Sequence, residues 1–320
     1  MMDFCVLGSG IAGSTIANLL SKKYSVHVFD KAKGPGGRSS NKRLNKKLSF
    51  DHGVQYISPK TKKFKNFTLK LIKKNILKKW DGNHLDFTFQ KKKKLKKLIG
   101  EKANNALCKY YLKGIKLSFA SQVTKIEYKK YFWEIILSDG SKHQFKGLIL
   151  TCPFPQLKKL ARKYLDKKVS NLKIQMQPNI TVMLAFKNQV ALPISSIKFD
   201  DEVLTWAANE NSKKRFKSNL SLWTLQASLK WSKKTINRYK NDKSIINKLI
   251  TRFIQLTGLK KNKIIHKKIH GWKYSYNYKK TALLSSWNKK NQLGICGDWF
   301  SGPKVENAWL SANDLAKRIK

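Results

Sequence analysis

Apolar and polar residues follow two rhythms along this chain, and the points where one gives way to the other predict its elements. Asp3-Phe-Cys-Val-Leu7 is a short apolar run that predicts a buried strand, and Gly8-Ser-Gly-Ile-Ala-Gly13 turns the chain out of it. Residues 14–21 take up a helical period with Ile16, Ala17 and Leu20 inward. Ser25-Val-His-Val-Phe-Asp30 then alternates as a second strand that ends on an acid. Beyond Gly53 the pattern is mixed, with helical stretches predicted at 64–77 and 95–112. Strands are predicted at 121–128, 131–137, 142–145 and 147–151, the middle pair turning at Ser138-Asp-Gly140. Strand-like runs recur at 180–186, 196–199, 203–207 and 220–227. An amphipathic helix is predicted over 243–257, with Ile246, Leu249, Ile250, Phe253 and Leu256 on one stripe. The chain closes with a strand at 293–296, a loop from Gly297 and a helix from about Val305.

Composition narrows the function classes. At 320 residues, 41% hydrophobic and 11% aromatic, the chain has ample material for a core and is no disordered basic tail. No apolar run approaches the roughly 20 residues of a spanning helix, and the N-terminus lacks the features of a signal peptide. Cys5, Cys108, Cys152 and Cys296 lie far apart without a CxxC pair, which argues against a disulfide framework or a zinc site and suits a reducing compartment, the cytoplasm. The net charge of +50 changes the picture less than its size suggests. Arg occupies only seven positions, so 61 of the 68 basic residues are Lys, spread along the whole length. Nucleic-acid readers concentrate charge and keep Arg for bidentate contacts, so specific nucleic-acid binding is not expected. The densest run, lysines 91–94 continued by Lys96 and Lys97, is expected to be a solvated helix face or loop.

Three constellations carry candidate chemistry. Gly8-x-Gly10-x-x-Gly13 follows a strand and opens a helix, and Asp30 stands 17 residues beyond the last glycine at the end of the next strand. The glycines permit a tight turn and a close approach of backbone to pyrophosphate. Ile11 and Ala12 open the helix whose N-terminus faces that anion, and the acid can accept ribose hydroxyls. Gly34-Pro-Gly-Gly-Arg38 follows at once, and its amides and guanidinium suit the diphosphate of FAD. Gly297-Asp298 then precedes Val305-Glu306-Asn307-Ala308 at a helix start. Asp298 could bond a ribityl chain there, while the helix dipole stabilises negative charge on reduced flavin. No Ser-His-Asp set, metal motif or catalytic carboxylate pair can be assembled, which fits hydride transfer, a reaction governed by positioning. Trp272, Tyr274 and Tyr276 alternate as on a strand face, either as core or as a planar pocket.

Taken together, Gly8–Gly13, Phe29-Asp-Lys31, Gly34–Arg38, Phe50-Asp-His-Gly53 with Gln55-Tyr56, Gly271-Trp-Lys-Tyr274, Gly297-Asp-Trp-Phe300 and Val305–Ala308 resemble the renalase-like flavoproteins of the amine-oxidase-like superfamily. The resemblance is strongest in the first 60 and last 50 residues. It implies an α/β fold, with an FAD-binding Rossmann-like domain of the p-hydroxybenzoate-hydroxylase type from residues 1–60, 115–165 and 285–320. A substrate domain with a mixed β-sheet is implied from 61–114 and 166–284. It also implies noncovalent FAD and oxidation of 2- or 6-dihydro isomers of NAD(P). The dinucleotide contacts would come from Gly8, Gly10, Ile11, Ala12, Gly13, Asp30, Lys31, Gly37, Arg38, Gly53, Val123, Gly297, Asp298, Val305, Glu306, Asn307 and Ala308. His52, Tyr56, Trp272 and Tyr274 would line the substrate pocket. Asn307 departs from the glycine of many relatives. An FAD-dependent amine oxidase or desaturase is the alternative within enzymes, and a basic nucleic-acid- or membrane-binding protein on a flavin fold the alternative outside them. The electron acceptor, oxygen or another, and the oligomeric state stay open.

Overall fold

The computed structural model describes residues 1–88, 96–187 and 192–319, so lysines 91–94 lie outside the described residues, while Lys96 is exposed and Lys97 half-buried. The chain divides into two units, one of residues 1–38, 105–176 and 276–320, the other of 39–104 and 177–275. Residues 39–60, expected with the dinucleotide segments, therefore cluster with the second unit and carry His52, Gly53 and Tyr56 with them.

The first unit is built on an eight-stranded sheet. Its main path runs Ser285–Asn288, Leu293–Cys296, Lys142–Leu150, Met2–Leu7, Val26–Phe29, Lys116–Ser118. The inner pairings are parallel, and Phe4–Leu7, Val26–Phe29 and Leu293–Cys296 are buried throughout, as parallel strands covered on both faces must be. Ile11–Leu20 and Val305–Arg318 pack against each other, with Ile16, Ala17 and Leu20 buried as the period predicts. Val123–Lys129 and Phe132–Leu137 form an antiparallel pair that extends the sheet from Lys142–Leu150. The two strands expected at 142–145 and 147–151 are one. Gly147 sustains it where a Cβ would meet the Phe4 ring at 2.4 Å.

The second unit holds a six-stranded sheet in the order Ile264–Tyr276, Gln177–Lys187, Leu220–Ala227, Leu204–Asn209, Ser196–Lys198, His84–Asp86. It is mixed, because the Ser196–Lys198 pairing with His84–Asp86 is parallel and the next three pairings are antiparallel. Lys243–Thr257 packs its Ile245, Leu249, Ile250 and Phe253 onto a core containing Val182, Leu184, Trp223 and Leu225. Asp242 caps its first turn through Ser244 N–H, and Gly258 closes it at φ +70°. The stripe thus departs from expectation in part. Ile245 is buried with the stripe, Ile246 packs half-buried against the same core as expected, and Leu256 is exposed on its flank. The helix expected to reach Leu77 ends at Lys73, and Leu77–Lys79 becomes a strand paired with Leu98–Gly100. That second strand also breaks the helix expected at 95–112, of which only Ala106–Tyr111 is helical. Leu95 itself lies outside the described residues. Asn104 explains the break: its side-chain oxygen accepts from Gly100 N–H and its amide donates to Val54 O and Gln55 O, a loop arrangement that a helix would forbid.

Candidate functional site

In the first unit the candidate site is made of backbone. Gly8 takes φ +106° and donates its N–H to Phe29 O at 2.8 Å, with no room for a side chain because a Cβ would lie 2.6 Å from Thr151 Oγ1. A Cβ on Gly13 would meet Gly8 O at 1.9 Å, so the helix can close on the strand only if residue 13 has none. Gly10 begins that helix without a side-chain cap, leaving the Ile11, Ala12 and Gly13 amides at its N-terminus for another acceptor. The second glycine run docks against the first. Gly10 and Gly36 form a parallel bridge, Gly36 N–H donates to Ser9 O at 3.0 Å, and Gly37 at φ +51° would place a Cβ 3.2 Å from Gly10 Cα. Two bare chain segments beside a helix N-terminus make an anion cradle.

Asp30 is anchored in this turn. Its Oδ2 accepts Ser9 N–H at 2.7 Å and Ser9 O–H at 2.5 Å, and its Oδ1 accepts Ala32 N–H at 2.8 Å. A carboxylate offers about four lone-pair directions, so capacity for a ribose hydroxyl remains. Ser9, hidden in the motif's first variable position, went unnoticed in the sequence. Lys31 is exposed, and Val123 is half-buried opposite Leu137.

Arg38 and Asp298, expected to serve separate parts of a cofactor, hold each other. Arg38 Nη1 donates to Asp298 Oδ2 at 2.9 Å and Nη2 to Oδ1 at 2.5 Å, a bidentate pair joining positions 260 apart. Gly297 N–H donates to Ser311 Oγ, and Trp299 Nε1–H to Cys152 O. Val305, Glu306 and Ala308 are buried at the start of the last helix, whose first residue has no side-chain cap before it. The Asn307 amide donates to Ser301 O at 2.9 Å and Gly302 O at 3.0 Å, pinning the preceding turn. That bonding gives the departure from glycine a structural purpose. Cys296 lies buried in its strand, where burial pushes the thiol up, and burial likewise pushes Cys152 up to about 12.

In the second unit the candidate groups are side chains. His52 packs its ring 4.9 Å from His270, edge to face, and 5.1 Å from Trp272, whose Nε1–H donates to His52 O at 2.8 Å. Burial first, then His270, holds the imidazole down to about 3, against the raising pull of Asp51, so it is neutral at ordinary pH. Its Nδ1 is buried without a hydrogen-bond partner, an arrangement that costs about 1–3 kcal/mol when nothing else supplies one. Tyr56 belongs to a neighbouring group, 5.6 Å from the Trp206 ring and with Lys97 Nζ 5.5 Å from its own. Burial raises its hydroxyl. Tyr274 is half-buried two residues beyond Trp272 on the same strand. Gly53 serves through its carbonyl, which accepts from Gln226 Nε2 at 2.7 Å and Gln55 Nε2 at 3.1 Å.

Beside His52 in the chain, Asp51 anchors a buried charge network absent from the sequence expectations. Asp51 Oδ2 accepts from Lys213 Nζ at 2.9 Å and Arg215 Nη1 at 2.5 Å, while Lys213 also bonds Glu210 Oε2 at 2.9 Å. Thr224 O–H donates to Glu210 Oε1, and Arg215 reaches Gly100 O and Asn104 Oδ1. Two acids and two bases cancel, and Lys213 is 1% exposed. Burial pushes the Glu210 carboxyl up, whereas Asp51 is held down because the Lys213 and Arg215 charges outweigh its desolvation.

Comparison with known proteins agrees with this geometry. Residues 6–70 match the model of the NAD(P)-binding Rossmann-like domain. Renalase of Mus musculus is 32% identical over 178 residues, covering 50% of this chain and 49% of the mouse protein. The chain is homologous to renalase over half its length. An uncharacterized protein of Methanocaldococcus jannaschii is 27% identical over 199 residues, 52% of this chain and 53% of its own. The chain thus spans about half the length of the curated relatives it matches. Among solved structures, one from Exiguobacterium sp. 255-15 assigned as a protoporphyrinogen oxidase superposes with TM-score 0.74 at 9% identity, covering 99% of this chain and 98% of that one. A putrescine oxidase double mutant redesigned in cofactor binding gives 0.72 at 10%, with the same coverage. The fold is amine-oxidase-like, an α/β arrangement with a Rossmann-type dinucleotide-binding segment and a separate mixed sheet. Among the described residues no helix is long and apolar enough to cross a membrane.

Proposed function

We propose that this protein is an FAD-dependent oxidoreductase that returns 2- or 6-dihydro isomers of NAD(P) to NAD(P)+. The observation that carries the proposal is the docking of the two glycine runs, with bare amides at a helix N-terminus and Asp30 beside them. Homology to renalase over half the chain, with the motifs that resemble that family, supports the substrate class. In this proposal the Ile11, Ala12 and Gly13 amides receive the diphosphate noncovalently, Gly37 keeps that approach open, and Asp30 takes a ribose hydroxyl. The Arg38–Asp298 pair closes the site against the last helix, whose uncapped first turn at Val305–Ala308 favours negative charge. The chemistry bound FAD supplies is acceptance of a hydride at N5. A dihydropyridine that gives up hydride becomes an aromatic pyridinium, so no side chain has to remove a proton from carbon. What the chain must do is hold a planar ring still, and the neutral His52–Trp272 group has the flat, apolar character for that task.

A second enzyme reading, oxidation of an amine, draws on the likeness to putrescine oxidase, which at 10% identity is a likeness of fold. One experiment separates the two. Heat precipitation of purified protein should release yellow FAD, and anaerobic stopped-flow mixing should show the flavin bleached by 2- or 6-dihydro isomers about 100-fold faster than by the 4-dihydro form. Faster bleaching by a primary amine establishes the second reading instead. A colourless protein that takes up no FAD overturns both.

A further inference from the structure

His52 is held too firmly for a packing residue with an orphaned nitrogen. Its ring is flanked by His270 and Trp272, and its carbonyl is tied to Trp272 Nε1. The Ser40 main chain favours an N–H on the imidazole, and with Nδ1 unpartnered that hydrogen is assigned to Nε2, which leaves Nδ1 a lone pair. The charged and titratable groups facing the ring are His270, Asp51 and Lys42, and with burial their balance keeps it neutral. A neutral, immobilised, buried acceptor selects a ligand that brings an N–H. His52 itself is 6% exposed, and it has company, for Gln55 Oε1 and Ser58 Oγ are also buried without a partner. Three of the seven buried side-chain polar atoms without a partner among the described residues thus fall on one short stretch, 52–58, whereas ordinary interiors satisfy nearly all of theirs.

We infer that His52 Nδ1 is a specificity-determining acceptor for the carboxamide N–H of a nicotinamide ring, with Trp272 as the positioning residue that fixes it. The inference rests on the substrate class proposed above and adds a discriminating atom to it. It predicts rejection of any dinucleotide in which that amide is a carboxylate, because such a ligand brings no N–H and sets an anion against a lone pair.

The test uses the purified full chain with its bound cofactor, titrated calorimetrically with two unreactive probes, NAD+ and its deamidated analogue, nicotinic acid adenine dinucleotide. The parent should bind NAD+ at least about tenfold more tightly, the discrimination expected when a buried polar group is left unmatched. His52→Phe should bring the two affinities within about twofold, and His52→Asn, which can return an acceptor near the Nδ1 position, should restore part of the preference. The parent's ratio is read first and needs no variant to fold. Equal binding of both probes by the parent overturns the inference while leaving the dinucleotide reading intact. An unchanged preference in a folded His52→Phe protein does the same. Failure of both probes to bind, where a primary amine does bind, overturns the substrate class and the inference with it.

Discussion

The two units build their candidate sites from opposite materials. In the first, recognition is a property of chain path: Gly8, Gly10, Gly13 and Gly37 bring main-chain amides together by having no side chains. In the second, it is a property of side chains: Asp51, Lys213, Glu210 and Arg215 neutralise one another out of water, and His52, His270 and Trp272 pack ring against ring beside that stretch of chain. The difference teaches where each site is fragile. A backbone site is broken by adding atoms, and a side-chain site by removing them.

The largest effect should come from removing one member of the buried network. Lys213→Met strands Asp51 and Glu210, and urea unfolding should show a loss of about 3–5 kcal/mol, much of it recovered when Glu210→Gln is added. A loss below about 1 kcal/mol would show that the four groups do not act as a unit. Next comes the addition of a single methyl. Gly13→Ala should cost up to about 3 kcal/mol in thermal unfolding and abolish FAD uptake, while Gly34→Ala, where a Cβ meets nothing within 4 Å, should be near neutral. Equal behaviour of the two would dissolve the contrast between the units.

Asp30 sharpens the comparison, being a side chain on which the backbone site leans. Asp30→Ala should weaken FAD binding by about 10- to 100-fold in a fluorescence titration, and Ser9→Ala by less, since Ser9 only anchors the carboxylate. Acid offers another test, because each unit buries a histidine whose charge it suppresses. His52 is held near 3 and His27 near 4, each mainly by burial, against an ordinary 6.5. Above that ordinary value neither matters. As the pH falls from about 6.5 the unfolded chain takes up protons the folded chain refuses, so stability should be lost progressively toward the folded values. His52→Asn should flatten that limb of the stability curve more than His27→Asn. The smallest effect expected is Asn307→Gly, about 1–2 kcal/mol for the loss of two hydrogen bonds to the preceding turn.

This contrast also decides what the sequence could disclose. The glycine turn, its flanking strands and Asp30 lie within 30 consecutive residues, where spacing dictates geometry, and the structure places them as the pattern predicts. The same local logic locates the hairpin at Gly140 and the helix Lys243–Thr257. The charge network was illegible because its partners are far apart, Asp51 and Lys213 being separated by 162 positions, and because one buried lysine looks like any of the other 60. Neither was the Arg38–Asp298 pair visible, since each residue had a separate, sufficient explanation in its own motif. The strand at Leu98–Gly100 escaped for a different reason. Its pairing with Leu77–Lys79 is tertiary, and tertiary pairing overrides a helical pattern in a short apolar stretch.

The Arg38–Asp298 bond carries a consequence for biosynthesis. The glycine run that ends at Arg38 is synthesised 260 positions before the carboxylate that holds it, and the strand Leu293–Cys296, which pairs in parallel with Lys142–Leu150, arrives with that carboxylate. All of residues 39–104 and 177–275 have been synthesised by then. The first unit is therefore still incomplete when every residue of the second has been made. Synthesis arrested just short of residue 298 should yield a polypeptide whose second unit resists protease and whose first does not.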